Sequence, residues 1–375
     1  MNVVIVNAFD TYEHRVRLLY DVFKGNGDSV KVLTSNFRHI EKVKRADSIE
    51  GFQFFDAEPY KKNLSYQRLH SHYKLSKDIF KSLDNEPDID ILWVLIPPNS
   101  FAKDAALYKK AHPKVKLIFD LIDLWPETMP IGFMKKFFPF SVWKNLRNKN
   151  LKYADTIVTE CNLYRETLKE ILKGKNVETL YLARPLVPYE PCLELPQDQV
   201  SLCYLGSINN IIDIDAIANI VSEIKKIKPV TLHIIGDGEK KDQLVEAVKN
   251  KGGEIIFHGK VYDRAEKQRI FDSCHYGLNI MKPSVCVGLT MKSMDYLEFG
   301  LPIINNIRGD TWNFIEQRGI GINISELNKK INHYDYLMRK KTRCFFESAL
   351  TTSHFEWKLA RIINGTYLHV QSIKL

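Results

Sequence analysis

Apolar residues in the first half of the chain fall into two alternating patterns. Short solid runs occur at Val3–Val6, Ser29–Thr34, Ile89–Ile96, Val115–Asp120 and Thr156–Thr159. Between them lie stretches with apolar positions three and four apart, at Val16–Phe23, Tyr66–Leu83 and Phe101–Ala111. A solid run bounded by turn residues predicts a strand buried on both faces, and the three-four spacing predicts an amphipathic helix. Strand and helix in alternation predict parallel β-α-β units. The segment Arg38–Lys62 is basic and polar and predicts no regular element.

From 183 to 200 the texture changes: ARPLVPYEPCLELPQDQ carries four prolines and little periodicity, and predicts an interdomain linker. The alternation then restarts. Strands are predicted at Ser201–Leu205, Thr231–Ile235, Glu254–His258, Tyr276–Ile280 and Pro302–Asn305. Helices are predicted at Asp215–Ile227, Lys240–Asn250, Arg264–Ser273 and Thr290–Phe299, with a helical tail over Tyr334–Val370. The expected architecture is α/β, with two Rossmann-like doubly wound domains at 1–185 and 200–345 and a tail, 346–375, returning to the N-terminal domain. Ligands of such sheets bind beyond the carboxyl ends of the strands, so a cleft faced by both domains is the expected site.

Length and composition agree with this plan. The 375 residues, 45% hydrophobic and 26% charged, suit a folded two-domain chain and exclude a disordered one. No apolar run reaches the roughly 18 residues of a membrane span, and MNVVIVNAFD reads as a first strand and not a signal peptide, so a cytoplasmic protein is expected. The six cysteines show neither CxxC pairing nor metal-ligand spacing, which fits free thiols. The net charge of +9 is compatible with nucleic acid, an anionic membrane or a polyanionic ligand.

Candidate chemistry gathers in the second half. Three consecutive predicted strands end in glycine: Gly206-Ser207, Gly236-Asp237-Gly238-Glu239 and Gly259-Lys260-Val261. Glycine lets a backbone approach a nucleotide closely, although any one of these reads equally as an ordinary strand-to-helix turn. In Gly288-Leu289-Thr290-Met291-Lys292-Ser293-Met294-Asp295, Thr290 is placed to cap a helix whose free N–H groups can hold a diphosphate. Lys292 in the first turn suits a phosphate, and Asp295, on the same face, suits ribose hydroxyls. The alternative is a capped helix with both side chains solvated. A hydride-transfer fold is disfavoured, because Val3–Val6 is not followed by GxGxxG.

The segment MKSMDYLEFGLP resembles the C-domain signature K-x-x-E-Y-x-x-x-G-x-P of retaining glycosyltransferases of family four. The YLGS, IIGDGE and FHGKV segments are similar to that family's other C-domain stations. Asp120-Leu121-Ile122-Asp123-Leu124-Trp125-Pro126-Glu127 resembles the D-x-x-D-L-W-P-E stretch of bacterial members that build surface polysaccharides, such as N-acetylfucosaminyltransferases. The resemblance implies a GT-B fold and sugar transfer from a UDP- or GDP-sugar to a polyprenyl-diphosphate-linked glycan in capsule or O-antigen synthesis. It implies that Gly206 and Ser207 border the diphosphate, Gly236 and Val261 the base, Thr290, Met291 and Lys292 the phosphate, and Asp295 the ribose, with Asp123 catalytic near the reacting sugar. Several family residues are missing. Val287 stands where a first carboxylate is usual, Ile208-Asn209-Asn210 replaces the usual Arg and Lys, and Asn7-Ala8-Phe9-Asp10 replaces a glycine pair. Lys260, Lys282 and Arg15 are therefore further candidates for phosphate, with His14 beside Arg15 at the acceptor side. Asp88 and Asp90 precede a strand and read as a turn, so a metal-independent reaction with no cofactor is expected.

Basic and aromatic residues interleave through Phe133, Lys135, Lys136, Phe137, Phe138, Trp143 and Lys144, a pattern suited to an anionic membrane surface, with Lys42–Arg45 and Lys61-Lys62 as possible additions. The alternative is an amphipathic helix packed on the sheet; no nucleic-acid motif accompanies it. A sugar-nucleotide epimerase and a non-catalytic nucleotide-sugar-binding subunit remain open as alternative functions.

Overall fold

The computed structural model describes residues 1–63, 65–86, 88–129, 137–192, 194–332 and 334–364. They form two compact units, one of residues 1–183 together with the chain from Phe355 onward, the other of Arg184–His354.

The first unit is built on a seven-stranded sheet: β1 (Asn2–Val6), β2 (Ser29–Ser35), β3 (Phe52–Phe55), β4 (Ile91–Ile96), β5 (Lys116–Leu121), β6 (Thr156–Thr159) and β7 (Val177–Thr179). Their order across the sheet is β3-β2-β1-β4-β5-β6-β7, and every described pairing is parallel. β1 shows why its run is uniformly apolar. Val4 and Val6 enter the hydrophobic cluster on one face, and Val3 and Ile5 enter the cluster on the other. Phe355, Leu359 and Ile362 of the helix Thr352–Asn364 belong to the second of these clusters.

The second unit has six strands: β8 (Val200–Leu205), β9 (Val230–Ile235), β10 (Glu254–Gly259), β11 (Tyr276–Asn279), β12 (Ile303–Asn305) and β13 (Gly321–Asn323). Their order is β10-β9-β8-β11-β12-β13, the doubly wound arrangement whose strand order reverses beside β8. Residues 184–199 are not a free tether. Arg343 donates to the Val187 carbonyl at 2.6 Å, and His275 contacts the Pro196 carbonyl at 3.0 Å.

Three strands of these two sheets escape the periodicity. β3 lies inside the segment expected to be irregular, and β7 and β13 have only three residues each, too few to display a period. The expected helical tail over Tyr334–Val370, whose residues 365–370 lie outside the described residues, comprises two helices, Leu337–Ala349 and Thr352–Asn364, interrupted at Leu350-Thr351, where Thr351 bridges to Arg184.

Candidate functional site

The carboxyl ends of β8, β9 and β10 are laced together by backbone. Gly206 N–H donates to the Ile235 carbonyl at 2.9 Å and Gly236 N–H to the Gly259 carbonyl at 2.7 Å. Beyond them, Ile208 N–H donates to Asp237 O at 2.9 Å and Lys240 N–H to Ile208 O at 3.0 Å. Gly206 and Gly236 both have positive φ, 125° and 141°. The result is a shallow floor of main chain with no side chain standing on it at the two glycines. Ser207 is exposed, and its carbonyl accepts from the Tyr204 hydroxyl at 2.9 Å. Val261 is buried just past Gly259, and Lys260 and Lys282 are exposed.

Above this floor begins the helix Met291–Glu298. Thr290 caps it, its hydroxyl accepting from Ser293 N–H at 3.1 Å. The cap is anchored from behind. Thr290 Oγ1 donates to Asn279 Oδ1 at 3.0 Å, Asn279 Nδ2 to Asn305 Oδ1 at 2.9 Å, and Asn305 Nδ2 to Asn323 Oδ1 at 3.1 Å. The three asparagines end three adjacent strands in direct register and are fully buried. Tyr296 pins the other side of the helix, donating to the Cys203 carbonyl at 3.1 Å and accepting from Leu205 N–H at 2.9 Å. The helix end is thus fixed to both β8 and β11.

Lys292 lies in the first turn, its ammonium 4.5 Å over the Tyr204 ring. A β-carbon on Gly206 would lie 3.8 Å from Lys292 Cε, which places the lysine stem over the glycine turn. Among the described residues no carboxylate pairs with it. Burial alone pushes its pKa down to about 8. A partly desolvated cation without a counter-charge, beside free helix N–H groups and bare backbone, is an arrangement completed by an anion.

Asp295 is not solvated, as one reading expected, nor is it idle. Oδ1 accepts from Arg184 Nη1 at 3.0 Å and Lys267 Nζ at 2.9 Å, and Oδ2 accepts from Arg184 Nη2 at 3.3 Å. Arg184 also reaches Glu298 Oε2 at 2.7 Å, and Arg264 pairs with the other Glu298 oxygen. Two acids and three cations form one half-buried cluster. None of Arg184, Arg264, Lys267 or Glu298 stands out in the sequence, because the partners come from three separate segments. The asparagine ladder is equally hidden there, because Asn279 is followed by Ile280 and Met281, and Asn323 by Ile324.

In the first unit, Arg15 is 3% exposed and donates through Nε and Nη2 to both oxygens of Asp120 at 2.8 Å, with Nη1 on the Leu180 carbonyl. Trp93 Nε1 adds a bond to Asp120 at 2.9 Å. This corrects the expectation that Arg15 meets phosphate: its guanidinium is consumed inside the sheet. His14 Nε2 contacts the Ala183 carbonyl at 3.0 Å.

Asp123 organises the turn that follows β5. Oδ1 accepts from Leu124 N–H at 2.7 Å and Thr128 Oγ1 at 2.6 Å, and Oδ2 accepts from Trp125 Nε1 at 2.7 Å and the Tyr12 hydroxyl at 3.5 Å. Burial raises its pKa, and the four donors oppose that rise. Glu127 pairs with the buried Arg147 at 2.6 Å. The D-L-W-P-E stretch is therefore held by its own acids.

The basic aromatic stretch divides. Phe133, Lys135 and Lys136 lie outside the described residues. Phe137 and Phe138 are 61% and 82% exposed. Trp143 instead packs on Trp125 with ring centroids 5.6 Å apart, and Lys144 pairs with Glu127 at 3.2 Å. In the other basic block, Lys44 is paired with Asp56, and Arg45 with Glu13 and Asp47. Among the described residues no helix is long and apolar enough to cross a membrane.

Residues 199–325, which span the whole second sheet, match the family described as "Glycosyl transferases group 1". No curated protein matches the chain in sequence. Solved structures share the fold over nearly the full length. The lipopolysaccharide outer core galactosyltransferase WaaB in its apo form is 12% identical, with a TM-score of 0.67, covering 97% of this chain and 99% of that one. HepE of Anabaena in complex with UDP is also 12% identical, at 0.66 with the same coverage. Sucrose-phosphate synthase from Thermosynechococcus elongatus is 10% identical at 0.67, covering 97% and 98%. The chain has the GT-B fold of these structures.

Proposed function

We propose that the chain is a glycosyltransferase whose second unit holds a UDP- or GDP-sugar on the glycine floor, with the diphosphate between Gly206, Ser207 and the start of the helix Met291–Glu298. The observation that carries this reading is Lys292, a half-buried ammonium with no carboxylate partner among the described residues. As the bond from sugar to diphosphate breaks, negative charge grows on the leaving oxygens. Lys292 and the N–H groups behind Thr290 and Met291 stabilise it without moving. Lys260 and Lys282 supply exposed charge around the same edge. Gly236 and the main chain at Val261 border the base. Asp295 Oδ2, which accepts from Arg184 Nη2 at a long 3.3 Å, also accepts a ribose hydroxyl. UDP and UDP-glucose in the Anabaena HepE structures support a uridine donor.

The acceptor in this reading is a polyprenyl-diphosphate-linked or polysaccharide glycan of a bacterial surface polymer, the class of the N-acetylfucosaminyltransferase-like members. Transfer proceeds with retention at the anomeric carbon. The exposed Phe137 and Phe138 support a peripheral contact with the inner face of the plasma membrane. A panel of radiolabelled UDP- and GDP-sugars, incubated with lipid-linked acceptors, tests the proposal. Label in the lipid fraction supports it; nucleotide binding with no transfer to any acceptor, or release of a 2-epimer, overturns it. Residue roles are checked separately by titrating UDP into the Lys292→Met protein.

A further inference from the structure

Among its described residues, the first unit contains a second cation without a carboxylate partner, beside a histidine whose ring nitrogens are also unused. Arg68, on the helix Tyr66–Ser82, is 4% exposed, and its Nε and Nη2 are buried without a hydrogen-bond partner. Nη1 donates to the Asn63 carbonyl at 2.8 Å. One turn along, His72 is equally buried, and neither ring nitrogen has a partner. A buried donor left unpaired costs about 1–3 kcal/mol, and more when it is charged, so two adjacent residues in this state call for a missing group.

Rings enclose these donors. The Arg68 guanidinium lies 4.2 Å over Trp125 and 5.6 Å from both Phe9 and Tyr60. His72 stacks on Trp125 and meets Phe9 and Tyr60 edge-on. Two more cation-capable residues border the same rings. His39 packs against Phe9 and Tyr60, and Lys42 Nζ sits 4.7 Å over Tyr60 and donates to Asn63 Oδ1 at 2.7 Å. His39 and Lys42 are half-buried and lead from Arg68 towards the surface. Among the described residues no carboxylate lies within ion-pair distance of any of the four. The place is also right: Phe9 follows β1 and Trp125 follows β5, at the carboxyl edge of a parallel sheet.

These groups repel one another. His39 is pushed down to about 4, first by burial and then by Arg68 and Lys42, and Lys42 is lowered by burial and then by Arg68. An anion would relieve both the repulsion and the unused donors.

We propose that Arg68, His72, His39 and Lys42 form an anion-binding subsite in the first unit, which receives a phosphate or carboxylate group of the acceptor. Assignment of that anion to the acceptor rests on the transferase reading above; the subsite itself does not. Arginine holds either anion through paired N–H groups, and the aromatic walls exclude water and strengthen those bonds.

The test is calorimetry on the full chain saturated with UDP, titrated separately with inorganic phosphate, pyrophosphate and glucuronate. At least one anion is expected to bind. Arg68→Met, which retains an apolar stem against Trp125, should weaken it by about tenfold or more, as loss of a charge-assisted hydrogen bond does. Lys42→Met, at the rim, should weaken it less and guards against a folding defect in the first variant. Preference for phosphate or pyrophosphate assigns a phosphorylated acceptor, and preference for glucuronate an acidic sugar. Binding of none of the three, or binding unchanged in both variants, overturns the subsite. Should an anion bind in an Arg68-dependent way while UDP does not bind at all, the donor reading fails and the subsite stands.

Discussion

A β-carbon on Gly236 would lie 2.0 Å from the carbonyl oxygen of Gly206. The two strand ends therefore approach closer than any side chain permits, and Gly236 also has a φ of 141°. Gly236→Ala should push the two turns apart and cost at least about 1–3 kcal/mol, the usual scale of such backbone strain. Gly27→Ala is the control: its φ of 82° is also positive, but nothing lies within 4 Å of the added carbon. Thermal denaturation should show the larger loss for Gly236→Ala, and UDP titration should show weakened binding in that variant alone. Equal behaviour of the two would remove Gly236 from the floor of the site.

Lys292 should make nucleotide binding depend on pH. Its pKa is lowered from 10.5 to about 8, so the free protein loses the charge as pH rises through about 8. Affinity for UDP should fall across that range, and binding above it should take up a proton. Calorimetry in buffers of different ionisation enthalpy reads the uptake directly. The same shift has a stability consequence. The unfolded chain binds more protons than the native one between about 8 and 10.5, so this residue's contribution to stability rises with pH in that window. Lys292→Met should lower UDP affinity roughly tenfold to hundredfold, as expected for removing a hydrogen bond to a charged group, and should not lower stability.

Asp295→Ala should destabilise the fold as well as weaken nucleotide binding. The sequence alone suggested a ribose ligand whose removal leaves folding intact, but the carboxylate holds Arg184 and Lys267 at 3.0 and 2.9 Å. Leaving those cations half-buried and less well paired should cost roughly 3 kcal/mol, near the low end for breaking a buried ion pair. Urea denaturation should show a lower midpoint with an unchanged slope. Wild-type stability with lost UDP affinity would restore the simple ribose role.

Asn305 joins two further asparagines and, through Asn279, the Thr290 cap. Asn305→Ala strands the Asn279 amide and the Asn323 carbonyl oxygen in a dry interior, at about 1–3 kcal/mol for each unsatisfied group. The helix start should then loosen, so that KM for the donor rises while kcat changes less. A donor KM equal to wild type would reduce the ladder to a purely structural feature.

Much of this was legible along the chain. The solid run Val3–Val6 had to be a strand buried on both faces, and the structure divides its residues between two clusters. Thr290 and Gly300 marked the helix between them because capping and termination are local. Arg15 was not legible. Its proximity to the first strand suggested a phosphate contact, but Asp120 lies 105 residues away, and only the sheet order β1-β4-β5 brings them together. Between a membrane-facing stretch and a helix packed on the sheet the sequence left Trp143 open, because the aromatic count of a segment does not say which ring turns inward; the ring packs on Trp125.

The sequence by itself determined the alternation of strand and helix, the break into two sheets, the three glycine turns and the capped helix bearing Lys292, since each depends on neighbours within a few positions. Tertiary structure alone decided which charges are spent and which are left over. Arg15 is neutralised by Asp120, and Asp295 by Arg184 and Lys267, whereas Arg68 and Lys292 have no carboxylate partner among the described residues. The physical reason is that pairing depends on distance in space, which falls to hydrogen-bond length between residues more than a hundred positions apart, whereas propensity and periodicity act only along the chain.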